Sequence, residues 1–259
     1  MPDLHPTLLN IVDGNAYLLD EFRKTTNGLV VRHLLDKVNA LKVPPVFVFD
    51  GAGGNRRRRA LLPVYKTKRT PPGESLFDSI RLFCDALKHL PSVQVRVPTW
   101  EADDVISTIA LSYASRGETV SVVTVDRDLY QLAAHPNVKV TASYEHVPPH
   151  LVRLYKTFVG DPSDGITGIP LFGEVAWTKL DQQAALRLMT SRQRDVAVIE
   201  ALGMKPKQTA WLIEHFDEAL VMWDVVGLLT VPMDEIQKHL IVGTRNLTAM
   251  NAVLKEFML

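Results

Sequence analysis

The chain lacks most of the features that mark specialised protein classes. It has a single cysteine, Cys84, in 259 residues, and that cysteine sits in an apolar helical stretch. One thiol builds neither a disulfide framework nor a cysteine-based zinc site, and a reducing, cytoplasmic setting is expected. No uninterrupted apolar run reaches about 18 residues, so no membrane span is expected. Asp3 and His5 interrupt the N-terminal stretch before any apolar segment forms, which argues against a signal peptide. Internal repeats and low-complexity linkers are also missing. The eight histidines show no ligand spacing; His146 and His150 are four apart, but Pro148 and Pro149 break any helix that would align them.

Net charge is lacking too. The formal total is zero, with 46% hydrophobic and 22% charged residues, ordinary for a globular protein with a sizeable core. The neutral total hides a segregation. From Arg56 to Arg69 there are seven basic residues and no acid, whereas the acids gather in a few short motifs.

Strand and helix patterns alternate over the first 145 residues or so. Apolar runs predict strands at 8–12, 46–49, 93–97, 119–125 and 138–140. Helical spacing is read over 15–41 (Leu18, Leu19, Phe22, Leu29, Val30, Leu34), over 74–90 and from Glu101 onward. Pro44-Pro45 closes the first helical region, and Pro71-Pro72 closes an irregular basic segment, 51–72. Such alternation implies βαβ units, an α/β fold with a mainly parallel central sheet flanked by helices. After about residue 148 the pattern is helical throughout, with candidates at 151–158, 175–189, 196–202 and 208–226. The expected division is an α/β core over 1–147, including the basic segment, and a helical subdomain over 148–259, packed on the core.

Three predicted strands run into aspartate: Asp13, Asp50 and Asp126. Ligands of open α/β sheets bind beyond the carboxyl ends of the strands, so these acids are expected to converge. Glu101, Asp103 and Asp104 open a helix, Asp128 follows Asp126, and Asp161 and Asp164 lie in a Gly-rich loop. Taken singly, each has an ordinary explanation: first-turn acids complement the helix dipole, Asp126 suits an N-cap, and Asp13 and Asp164 precede glycine as turn residues do. Taken together, they form a set of like charges that oppose each other's ionisation unless cations are present. All the donors are hard oxygens, which favours magnesium or manganese over zinc. Two such ions can activate water and stabilise both oxygens of a phosphodiester displacement. The basic segment leaves directly from Asp50. Its arginines and lysines suit a polyanionic backbone, and Tyr65 suits stacking on a base.

These motifs together resemble the 5′-nuclease family: bacteriophage flap endonucleases and 5′→3′ exonucleases, and the 5′-nuclease domain of bacterial DNA polymerase I. The residues that carry the likeness are Glu101-Ala-Asp-Asp-Val-Ile106, Thr124-Val-Asp-Arg-Asp-Leu129, Gly160-Asp-Pro-Ser-Asp-Gly-Ile-Thr-Gly-Ile-Pro170 and the arch-base motif Pro63-Val-Tyr-Lys-Thr-Lys-Arg69. The resemblance implies a PIN-like fold whose C-terminal helical part contains a helix–turn–helix for duplex DNA. It places Asp13, Asp50, Glu101, Asp103 and Asp104 around a first metal, and Asp126, Asp128, Asp161 and Asp164 around a second. It makes Lys66 the lysine at the scissile phosphate and Arg58 its partner. Arg56, Arg57, Arg59, Tyr65, Lys68, Arg69, Gly168 and Gly173 become DNA contacts. The implied reaction is metal-dependent hydrolysis near a DNA 5′ end, flap or nick, leaving a 5′-phosphate and a 3′-hydroxyl.

The short interval from Asp13 to Asp50 suits a phage-type enzyme, acting in DNA replication or repair and in the host cytoplasm if phage-encoded. A free-standing monomer is expected. RNA–DNA hybrids stay open as substrates. The chain departs from the family at Gly168-Ile-Pro-Leu-Phe-Gly-Glu-Val-Ala-Trp177. There Leu171 replaces a glycine of a tight turn and Val175 stands where a lysine is common, so weaker duplex binding is expected and the potassium site of relatives is left open. Two other readings compete: a PIN-class ribonuclease, which would lack the basic arch and the helix–turn–helix, and a silent relative that binds branched DNA, which would have lost metal acids.

Overall fold

The structure, a computed structural model, describes residues 8–24, 30–70 and 73–257. Leu29, Pro71 and Pro72, used above to delimit elements, lie outside the described residues, as does the Phe22 side chain. The strands are β1 (Leu8–Asp13), β2 (Val46–Val48), β3 (Val93–Val95), β4 (Thr119–Val123), β5 (Val138–Val140) and β6 (Leu240–Val242). The first five helices are α1 (Gly14–Lys24), α2 (Val30–Ala40), α3 (Arg56–Leu61), α4 (Glu74–Leu87) and α5 (Ala102–Ala114). They are followed by α6 (Val152–Val159), α7 (Glu174–Trp177), α8 (Gln182–Ser191) and α9 (Val196–Ala201). The last are α10 (Pro206–Glu214), α11 (Phe216–Val226), α12 (Met233–Lys238) and α13 (Leu247–Phe257).

The strands form one sheet in the order β5-β4-β1-β2-β3-β6, parallel except for β6, which runs antiparallel to β3. The expected α/β class and mainly parallel sheet are therefore present. From β1 the chain moves through β2 to β3 on one side, then crosses to β4 on the other. The sheet thus has its topological switch between β1 and β4, where the connections diverge and leave a crevice at the strand ends. Val12 is paired with Val123, so Asp13 and Thr124 leave the sheet side by side.

The chain divides into two compact units. The first comprises residues 1–54, 71–143 and 229–259; the second comprises 55–70 and 144–228. In the first unit Leu18, Leu34, Leu35, Phe47, Phe49, Phe83 and Leu87 pack with Met250 and Leu254 of α13 into one buried cluster. Each such side chain contributes roughly 1.5–3 kcal/mol by leaving water. Against β1 and β4 lies α5, through Val105, Ile106 and Ile109.

Three expectations for the C-terminal part are corrected. Residues 175–189 do not form one helix, because the Asp181 carboxylate accepts the Ala184 N–H (2.9 Å) and starts α8 afresh. Residues 208–226 are split at His215, which ends α10 and precedes α11. The region is also not wholly helical, since Leu240–Val242 joins the sheet edge. Among the described residues no helix is long and apolar enough to cross a membrane.

The segment between α6 and α7 is built on glycines with left-handed φ. A Cβ on Gly168 (φ 69°) would lie 2.6 Å from Gly160 N and 2.7 Å from the Phe158 carbonyl oxygen. Leu171 also takes a left-handed φ, 61°, with its side chain 83% exposed. The leucine was expected to hinder the glycine conformation. The backbone adopts it anyway, because the side chain points to solvent and only the local strain remains. These two positions are expected to respond oppositely to substitution. Gly168→Ala should destabilise by about 2–4 kcal/mol, combining left-handed strain with overpacking. Leu171→Gly should change stability by less than about 1 kcal/mol, as relieved strain offsets the looser unfolded chain. Denaturant titration of both variants checks this.

Candidate functional site

The first unit collects seven of the nine candidate metal acids. Asp13 ends β1 and is 3% exposed. Its Oδ1 accepts the Ala16 N–H (3.1 Å), and its Oδ2 accepts the Thr124 hydroxyl (2.8 Å) across the switch between β1 and β4. Thr124 is held in turn by Thr141, whose hydroxyl accepts the Thr124 N–H and donates to its carbonyl. Asp50, two residues past β2, accepts the Ala102 N–H on Oδ1 (2.8 Å) and the Asn15 amide on Oδ2 (2.8 Å). It therefore serves the first turn of α5 as well as the site. Glu101, at the N-cap position of α5, makes no capping bond with its side chain and is 5% exposed. Asp103 is half-buried in the same turn. Asp104 is buried and accepts the Leu229 N–H (2.8 Å), so it also anchors the returning C-terminal segment. Asp126 caps the following 3-10 helix through the Asp128 N–H (2.9 Å).

Capping roles are therefore real for Asp13, Asp50 and Asp126, but they do not account for the electrostatics. The Asp13 carboxyl is pushed up to about 6, chiefly by burial. The bonds from Ala16 and Thr124 oppose that shift, and the charges of Asp126 and Asp50 add to it. Asp13 thus feels the other two strand-end acids as like charges. Among the described residues no three acidic, histidine or cysteine side chains form a ready cage for an ion. An all-oxygen set of this kind fits a hard cation that takes one or two carboxylates and fills its remaining positions with water and substrate phosphate.

The other two candidate acids belong to the second unit and already have cationic partners. Asp161 Oδ2 lies 2.7 Å from Nζ of the buried Lys156, and Oδ1 accepts the Ser163 N–H (2.9 Å) and hydroxyl (2.7 Å). Burial alone would raise its carboxyl, but the Lys156 charge and these bonds hold it at about 2. Asp164 is buried and ion-paired with Arg69, and its carbonyl accepts the Lys66 N–H (3.0 Å). Lys66 itself has φ 54°, a left-handed conformation that is costly for a non-glycine residue.

The basic segment separates into different environments. Arg56, Arg57, Arg59 and Lys68 are exposed, and Arg59 Nε donates to the Tyr65 carbonyl (3.1 Å). Arg58 is only 4% exposed; it donates to the Val225 carbonyl (2.8 Å) and the Gly227 carbonyl (2.9 Å), closing the C-terminal end of α11. Tyr65 corrects an expectation. It is 4% exposed, with the Lys66 ammonium 4.9 Å from its ring centroid, so its face is closed to a stacking base. Gly173 is exposed, and a Cβ there would meet nothing within 4 Å, so no close approach explains it. Val175 is 70% exposed. Leu171 donates no charge, but its carbonyl accepts the amide of the buried Gln208 (2.7 Å).

Residues 9–156 match the family of the 5′-3′ exonuclease N-terminal, resolvase-like domain. The chain belongs to this family. Among its relatives, the flap endonuclease Xni of Aliivibrio salmonicida is 27% identical over 220 residues, covering 80% of this chain and 81% of that protein. The thermostable DNA polymerase I of Thermus thermophilus is 34% identical over 140 residues, which is 50% of this chain. This chain spans only 17% of that polymerase and 21% of the one from Rhizobium leguminosarum. The fold matches a T5 5′-exonuclease with bound zinc at a TM-score of 0.63 and 18% identity, over 97% of this chain and 98% of the other.

Sequence reasoning missed Thr124, Asn15 and Lys156. Asn15 and Thr124 each lie two residues from a strand-end aspartate. Lys156 is the one charge on the buried face of α6 formed by Val152, Leu154 and Phe158.

The raised Asp13 carboxyl sets a direction for stability. Folded Asp13 binds its proton more tightly than the unfolded chain, from an ordinary value of 3.8 to about 6. Its contribution therefore falls as pH rises through that window and stays unfavourable above it. Asp13→Asn should raise metal-free stability at pH 8 by up to about 2–3 kcal/mol. The gain should vanish below pH 4. Magnesium should raise the melting temperature of the parent protein and leave the variant's nearly unchanged, as thermal denaturation across pH would show.

Proposed function

We propose that this protein is a divalent-metal-dependent 5′ nuclease that hydrolyses DNA phosphodiesters at 5′ ends, nicks and flaps, as a 5′→3′ exonuclease and flap endonuclease. The observation that carries the proposal is Asp13, a buried carboxylate at the sheet's switch point whose like-charged neighbours are Asp50 and Asp126, in a chain of the 5′-3′ exonuclease family. Asp13, with Asp50 or Asp126, would hold an ion, and the remaining acids of the first unit, Glu101, Asp103, Asp104 and Asp128 among them, would bond to its water shell. Asp161 and Asp164 would serve a second ion after yielding some of their contact with Lys156 and Arg69. Magnesium or manganese suits these oxygen donors. When bound, such ions lower the pKa of the attacking water and stabilise the leaving oxygen.

The chain's own residues supply the rest. Lys66 meets the scissile phosphate and stabilises charge developing there; its left-handed backbone is strain of the kind held at working sites. Arg58 acts at one remove, holding α3 to the end of α11 so that the Lys66 loop keeps its shape. Arg56, Arg57 and Lys68 form a basic face for phosphates. Gly168 keeps the loop after α6 tight enough to present its backbone to a duplex. The monomer is a sufficient unit for this chemistry, and RNA–DNA hybrids are further candidate substrates.

Cleavage of end-labelled nicked and flapped duplexes tests the proposal. Chelation should abolish cutting, and calcium should support binding without turnover; undiminished cutting in excess chelator would sink it. Lys66→Ala should lower the single-turnover rate at saturating enzyme by at least about 100-fold, the scale of losing one charge-stabilising donor. Arg56→Ala should leave that rate alone and reduce the salt dependence of binding by about one phosphate contact. Arg58→Ala should chiefly lower the melting temperature.

A further inference from the structure

The first unit has a cleft of about 700 Å³ that opens at Asp50 and runs along α4 and β3 to Ile241 of β6. Its volume is in the range of ligand sites, and of its lining residues only Asp50 and Asn15 have a part in the site described above. Phe77 of α4 is 56% exposed, a large apolar ring facing solvent. The Arg96 guanidinium lies 5.2 Å from the Phe49 ring centroid. Arg81 on α4 and Lys88 just past its C-terminal end add two more cations to the wall. These three positive side chains outnumber the two acids of the lining, Asp50 and Asp85. Arg81 pairs with Asp78, and Lys88 with Asp85 at 2.7 Å. Both pairs join exposed side chains three residues apart, the kind of ion pair that contributes little and exchanges readily for another anion.

An exposed ring among cations is the composition of grooves that carry single-stranded nucleic acid, where bases stack on the aromatic and phosphates follow the positive charge. We propose that the cleft receives single-stranded DNA, namely the unpaired 5′ strand beyond the scissile phosphodiester, with a base on Phe77 and phosphates on Arg81, Lys88 and Arg96. The proposal rests on the nuclease reading given above and adds to it a site that senses the flap.

The test uses the full chain with calcium in place of magnesium, and compares a nicked duplex with the same duplex carrying a 5′ single-stranded flap. The parent protein should bind the flapped duplex more tightly. Phe77→Ala and Lys88→Glu should each weaken flapped-duplex binding about five- to tenfold, the scale of one lost stacking contact, and leave nicked-duplex binding unchanged. Both positions are exposed, and unchanged melting temperatures would show that the fold is intact. Cys84, the sole cysteine, lines the same cleft. Its alkylation should be slowed by the flapped duplex and not by the nicked one. Equal losses on both substrates, or unaltered flap binding with an unprotected thiol, would overturn the proposal. Magnesium-dependent cutting of the nicked duplex by the parent protein separates the two readings. If cutting persists while the variants bind flaps normally, the cleft assignment alone fails; if cutting is absent, the nuclease reading fails and takes this one with it.

Discussion

A buried aspartate that must stay ionisable governs the first unit. Asp13 sits where two parallel strands part, 3% exposed, and burial there works against its charge. The Ala16 N–H and the Thr124 hydroxyl offset part of that cost, and the carboxyl lies at about 6. The pairing of Thr124 with Thr141 on the far side of β4 fixes the hydroxyl that sets this balance.

The second unit handles its acids differently. Asp161 and Asp164 are neutralised within the protein by Lys156 and Arg69. They are therefore organised without any ion, and an incoming cation must compete with a side chain already in place. The same contacts shape the loop that carries Lys66, because its N–H is bonded to the Asp164 carbonyl. Asp13 of the first unit is pressed by like charges, whereas Asp161 and Asp164 of the second are paired with cations.

Much of this was legible in the sequence because it is written locally. A run of branched apolar residues ending in aspartate marks a strand and its carboxyl end at once, which is why Asp13, Asp50 and Asp126 could be placed before any coordinates. Their partners could not. Thr124 reaches Asp13 only through the register of β1 against β4, a relation between residues 111 apart. Four consecutive arginines give no local sign that Arg58 alone turns inward to the carbonyls at the end of α11. Tyr65 suits base stacking by residue type, yet it is only 4% exposed, which nothing in the charged run around it signals. Leu171 shows the converse: its side chain forbids nothing when it can point into water. The helix break at Asp181 was readable in principle, since an aspartate ahead of Gln-Gln-Ala-Ala is a good N-cap. The short β6 was not, because three apolar residues become a strand only where an edge awaits them.

That edge strand has a consequence for how the chain is made. Val93 of β3 pairs with Val242 of β6, and the buried cluster under α4 is completed by Met250 and Leu254. During synthesis the first unit therefore waits, its sheet edge bare and part of its apolar face uncovered, while the whole of 144–228 emerges and can fold as a contiguous block. Long-range pairings of this sort close late and slowly, and an open edge beside exposed apolar surface is a ready template for other chains. The stretch from Leu240 to Leu254 thus acts as a clasp on the nascent protein, and a ribosome that stalls before it leaves a sticky, unfinished sheet.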